Sequence, residues 1–141
     1  MIYIIWTLLF LLVCTITDLK ERMIVTWFCF INSGAALAVN FFLRNQSEMN
    51  ILFGMIMGAV FYVISACSKE AVGKGDAVVI FTIGSMVGIN PGFEIVTWAF
   101  MLCALVSAVG MISKKLKLKS RLPFMPFMLM GGIITFIIGG V

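Results

Sequence analysis

The sequence contains no histidine, only three prolines and only six acidic residues. Without histidine the commonest general base is missing, and so is every serine–histidine or cysteine–histidine nucleophile arrangement. Four cysteines are present, Cys14, Cys29, Cys67 and Cys103, but none forms a C-x-x-C pair. Structural zinc sites use such pairs on a turn, so no metal site is expected and the thiols read as buried and free. Charge is scarce as well: 11% of residues are charged and 62% are hydrophobic, against about 25% and 45–50% in soluble domains. That composition excludes an ordinary soluble domain. A chain of 141 residues is expected to hold several membrane spans of ~20 residues, with no room among them for a separate soluble domain.

What the chain does have is apolar runs, six of them, at about 1–17, 24–43, 51–68, 77–90, 95–112 and 124–141. The breaks between them read DLKER, RNQSEMN, KEAVGKGD, NPGFE and KKLKLKSRLP. The expected fold is an all-α integral membrane bundle of six transmembrane helices, forming one domain over 1–141. The fourth run is short for a full crossing, so it either begins before Asp76 or meets a thinned bilayer. No Lys or Arg precedes Lys20; a cleaved signal peptide would want a basic start, so the first helix is expected to be retained.

Net charge is +4, and five of the ten Lys and Arg lie in one short loop: Lys114, Lys115, Lys117, Lys119 and Arg121. A basic cluster beside an apolar run reads as a topology signal facing anionic lipid rather than as a nucleic-acid surface. Lys20, Arg22, Lys69 and Lys74 fall in the first and third loops, leaving Arg44 alone for the other side. The positive-inside rule then puts these three loops in the cytoplasm and both termini outside. Glycines at spacing four, Gly54/Gly58 and Gly84/Gly88, read as close helix packing within the bundle. Asn32 and Ser33, inside the second run, read as helix-to-helix hydrogen bonds.

Two of the six acids, Asp18 and Asp76, adjoin apolar runs on the cytoplasmic side. Two spans separate them, one going out and one coming back, so both return to the same face at similar depth. If they meet, two carboxylates in a poorly solvated site cannot both ionise cheaply, and one keeps a proton. The ionised member can then activate a water while the protonated member polarises a peptide carbonyl. Gly73 and Gly75 are expected to allow a tight turn with positive φ beside Asp76. The alternatives are structural: Asp18 as a cap of the second helix or a partner of Lys20 or Arg22, and Asp76 as an N-cap. A proton or ion pathway is a further reading of intramembrane acids. Glu48 and Glu94 fall on the opposite side and read as solvated loop charges.

Three motifs carry a family resemblance. TDLKERMI sets Asp18 at the end of the first run, GKGD supplies Gly73, Gly75 and Asp76, and LPFMPFMLMGG leads into the last run through Pro123, Phe124, Pro126 and Phe127. Together, and in this order, they resemble the type IV prepilin peptidases, membrane aspartyl proteases of the GxGD type, in the short form found in pilus-assembly systems. The resemblance covers nearly the whole chain. It implies an endopeptidase that removes the short basic leader of a prepilin-like membrane protein, cutting after a glycine at the cytoplasmic face of a bacterial plasma membrane. Asp18 and Asp76 would be the catalytic dyad, Gly73, Lys74 and Gly75 the loop that meets substrate, and no cofactor is implied. Relatives that also methylate carry an added segment with paired cysteines, which this chain lacks, so methyltransferase activity is not expected.

The chain also departs from the family. Ile24, Val25 and Thr26 stand where Ile-Pro-Asn is frequent, and Val78 stands where a lysine is common. The basic loop 114–121 should repel a basic leader, so anionic lipid is its expected partner and the substrate's apolar helix the expected basis of selection. A presenilin-like protease shares the GxGD signature but usually has a Tyr-Asp first motif, where Thr17 precedes Asp18 here. From another class, a small ion-coupled transporter or a non-proteolytic assembly subunit remains the alternative. A transporter would want acids near midplane, and these acids lie near the ends.

Overall fold

The computed structural model describes residues 2–21, 26–43, 47–67, 73–113 and 123–139. These residues form six helices: α1 Ile2–Glu21, α2 Thr26–Leu43, α3 Glu48–Cys67, α4 Lys74–Val87, α5 Ile89–Ile112 and α6 Met125–Ile138. Two of them, Glu48–Cys67 and Ile89–Ile112, are long and apolar enough to cross a membrane, and Thr26–Phe42 and Met125–Ile138 are shorter apolar helices. Arg22, Ile24, Val25, Arg44, Lys69 and the basic loop 114–121 lie outside the described residues.

Helix α4 is the centre of the bundle, packed against α1, α2, α3 and α5, while α6 packs on α5 and α1. Its 14 residues rise only ~21 Å, short of a ~30 Å hydrocarbon core. Its second half is buried all round, from Thr82 to Val87 without interruption. A helix enclosed by four others needs apolar or small residues on every face, which removes the one-sided periodicity of a surface helix. The short fourth run is therefore the buried core helix, and it starts at Lys74, before Asp76.

Close packing makes α4 central. Gly54 on α3 meets Gly84 on α4 backbone to backbone, and Gly58 lies against the backbone of Phe81. These glycines thus serve contacts inside one bundle, as small residues do where helices approach closely. A polar seam joins α2 to α4. Ser33 Oγ donates to Ser85 Oγ (3.1 Å), Asn40 Nδ2 to the Ser85 carbonyl (3.2 Å) and Thr82 Oγ1 to the Cys29 carbonyl (3.3 Å). Trp6 Nε1 on α1 donates to Asn32 Oδ1 on α2 (3.3 Å), beside the stacked rings of Phe10 and Phe28 (5.8 Å). Such bonds between helices are worth about 0.6–2 kcal/mol each and fix register.

One expected break is not a loop. NPGFE lies inside α5, which starts at Ile89. Pro91 falls in its first turn, where a missing N–H costs nothing because that donor has no helical partner. Glu94 is accordingly an exposed helical residue rather than a loop charge. The α4–α5 joint is the single residue Gly88, whose φ of 79° is the left-handed conformation that glycine adopts freely.

Candidate active site

The C-terminal part of α1, the first turn of α4 and the first turn of α6 meet at one end of the bundle. Along α1, Thr15 and Thr17 keep their hydroxyls satisfied within an apolar helix by donating to the carbonyls of Leu11 and Val13, both at 2.8 Å. Asp18 follows, half-buried, beyond the first apolar run. Its carboxylate accepts the backbone N–H of Met125, the first residue of α6. That donor has no partner within α6, and the positive end of the helix dipole favours a carboxylate there. Asp18 therefore sits at the start of α6, and not at the start of α2 as the capping alternative had it.

Asp76 stands just before the apolar stretch of α4, in that helix's first turn. The N-cap is Gly73, so the alternative of Asp76 as N-cap is corrected by three residues. Its carboxylate reaches back to accept the Gly73 N–H, the acidic half of a capping box. Gly73 has φ −60° and ψ 133°, and Gly75 lies within the helix, so the expected positive-φ turn is not how these glycines act. Gly73 provides space instead: a Cβ there would lie 2.9 Å from Asp76 Oδ2. Lys74 is the first helical residue and is exposed.

Asp76 feels the charge of Asp18. Burial first, then the negative charge of Asp18, push the Asp76 carboxyl up to about 6, while the Gly73 N–H pulls the other way. Burial also raises the Asp18 carboxyl above its ordinary range, opposed by the Met125 N–H. A like charge beside a largely buried carboxyl favours its protonated form. Such a pair combines one acceptor and one donor for protons, the two parts that water activation needs.

Beside α4 runs an apolar groove of about 560 Å³, walled by Phe30 of α2, Ala59 and Tyr62 of α3, and Gly75, Ala77 and Val78 of α4. Its wall includes the neighbours of Asp76 on both sides, but neither carboxylate lines it. Of the departures from the family pattern, Thr26 and Val78 fall on described residues, and both line this groove. Cys14 and Cys29 hydrogen-bond thiol to thiol across α1 and α2, one turn from Asp18. Among the described residues no three carboxylate, thiol or imidazole groups are placed to hold a metal ion.

Sequence reasoning missed Thr15 and Met125. Thr15 Oγ1 donates to the Met125 carbonyl at 3.3 Å, so both ends of the Met125 residue are engaged by α1. The available signal was the three-residue spacing of Thr15 and Asp18, which places both on one helix face. A backbone amide as partner leaves no mark in a sequence.

Residues 5–109 match the model of the type IV leader peptidase family, a stretch that contains both aspartates. The chain belongs to the type IV leader peptidase family. It is accordingly assigned to a family of peptidases, and the resemblance drawn from the three motifs agrees with that membership. The leader peptidase match ends before α6, so the Met125 contact lies outside it. No curated protein and no solved structure matches the chain.

Proposed function

We propose that this leader peptidase family member is an aspartyl endopeptidase that removes the leader of a prepilin-like substrate, with Asp18 and Asp76 as its catalytic residues. The observation that carries the reading is one of placement: α1 packs against α4, and Asp18 near the end of α1 and Asp76 in the first turn of α4 come to the same end of the bundle, close enough for the Asp18 charge to act on Asp76. Asp18, holding the Met125 N–H, is the ionised member, and Asp76 is the proton carrier.

The reaction then follows from two proton positions. Asp18 takes a proton from a water between the acids as the water oxygen bonds to the scissile carbonyl carbon. Asp76 gives its proton to the carbonyl oxygen, so the tetrahedral adduct carries no net new charge. Collapse reforms the carbonyl, returning the hydroxyl proton to Asp76, and breaks the C–N bond while Asp18 gives its proton to the leaving amine. The dyad ends in its starting state. Gly73, the N-cap, and Lys74 and Gly75, in the first turn of α4, would flank the substrate strand beside Asp76.

A multi-pass membrane setting is part of the same reading. Trp27, Phe42 and Ile112 are each at least 80% exposed, and an apolar exterior of this kind suits lipid rather than water. Nine of the ten basic residues fall in or beside three alternate breaks between the apolar runs, which supports both termini outside and the dyad at the cytoplasmic face of a plasma membrane. The basic loop 114–121 would rest on anionic lipid.

Co-expression with candidate prepilins tests the function. Leader removal is expected from the wild type and from neither Asp18→Asn nor Asp76→Asn, with all three inserted equally. Cleavage that survives in either variant would remove the dyad from the mechanism.

A further inference from the structure

We propose that Thr15 is a positioning residue for this peptidase: its hydroxyl holds the Met125 backbone so that the Met125 N–H stays on the Asp18 carboxylate. The inference rests on the reading of Asp18 as the ionised member of the dyad. Thr15 is buried, and its single hydroxyl proton is shared between the Leu11 carbonyl at 2.8 Å and the Met125 carbonyl at 3.3 Å. The branch to Leu11 satisfies the hydroxyl locally and is the default for a threonine in an apolar helix. The branch to Met125 spans two helices, and it ends on the residue whose N–H serves Asp18.

The start of α6 gives this contact its leverage. Phe127 and Met128 already return their N–H groups to the Phe124 carbonyl, at 3.1 and 3.2 Å. The Met125 N–H has no carbonyl to turn to within the helix, so it is free for α1. Thr15 and Asp18 are three residues apart and lie on one helix face, so together they grip the carbonyl and the N–H of one residue. With that grip, one side of the Asp18 carboxylate is fixed, its rotation is limited and its charged form is favoured. Without it, Asp18 can turn from the water it must deprotonate.

The ionisable groups on the elements around Asp18, among the described residues, are Tyr3, Cys14, Lys20 and Glu21 on α1, Cys29 on α2 and Lys74 and Asp76 on α4; α6 carries none. Thr15 substitution alters none of these, so a changed titration of Asp18 reports the Met125 contact.

Thr15→Val and Thr15→Ala remove the hydroxyl, the first keeping the side-chain shape. In whichever of them inserts, kcat/KM for prepilin cleavage is expected to fall about tenfold with KM little changed. The acid limb of the profile should move to higher pH, because Asp18 loses a donor that favours its charged form. Thr15→Ser should keep the wild-type limb. Infrared titration of isotope-labelled aspartate, with Asp76→Asn as background, reads the Asp18 midpoint without needing any cleavage. An upward move in Thr15→Val and not in Thr15→Ser supports the role, even if no prepilin is cut and the proposed activity fails. An Asp18 midpoint equal to the wild type's in both hydroxyl-free variants, or a Thr15→Ser shift as large as theirs, overturns it.

Discussion

Gly54 and Gly84 pack backbone against backbone, so that a Cβ on either glycine would enter the other helix's main chain. The obstructing atoms are peptide atoms, which cannot rotate aside. Gly84→Ala should therefore force α3 and α4 apart and lower stability by about 1–3 kcal/mol, the usual cost of overpacking a core. Gly34 makes the contrast, because nothing lies within 4 Å of a Cβ there. Gly34→Ala should be neutral or more stable by roughly 0.5–1 kcal/mol, since alanine loses less freedom than glycine in a helix. Unfolding midpoints in mild detergent would read both. Equal midpoints for the two variants would contradict the packing.

Gly73 separates fold from chemistry. Its φ of −60° suits any residue, so Gly73→Ala should insert and unfold like the wild type. The new Cβ, however, would press on Asp76 Oδ2, and the carboxylate would have to turn. Cleavage is expected to fall by about tenfold or more, as displaced catalytic groups do. Full activity would mean that the contact does not orient Asp76. A loss of the fold would mean that the Gly73 backbone does not have this conformation.

The pH dependence follows from the opposed roles of the acids. The proposed reaction needs Asp18 ionised and Asp76 protonated, so kcat/KM should be bell-shaped. Its acid side falls as Asp18 takes up a proton. Its alkaline side falls as Asp76 loses one, and in the free enzyme that limb should centre near 6, the value to which burial and Asp18 push Asp76. These midpoints belong to the coupled pair. A profile flat across both limbs would count against proton sharing.

Much of this was legible in the amino-acid order because lipid-length apolar runs and charges are local signals. All six runs correspond to helices, the small residues at Gly54, Gly58 and Gly84 pack within the bundle, and Ser33 does bond across helices. What stayed hidden depends on neighbours. NPGFE has the residues of a loop, but Pro91 falls in a first turn where its missing donor is not wanted. GKGD looked like a turn needing positive φ, whereas Gly73 serves by leaving room for Asp76. The Met125 amide on Asp18 joins the two ends of the chain through a main-chain group. No side-chain pattern encodes it.

The central claim, that Asp18 and Asp76 act on one another at one end of the bundle, is tested most directly by titrating Asp76 itself. Aspartate labelled with carbon-13 and followed by infrared difference spectroscopy gives its midpoint in the wild type and in Asp18→Asn. Removing the Asp18 charge should lower the Asp76 midpoint from about 6, because its ionised form no longer faces a like charge. An Asp76 midpoint that does not move in Asp18→Asn would contradict the pair.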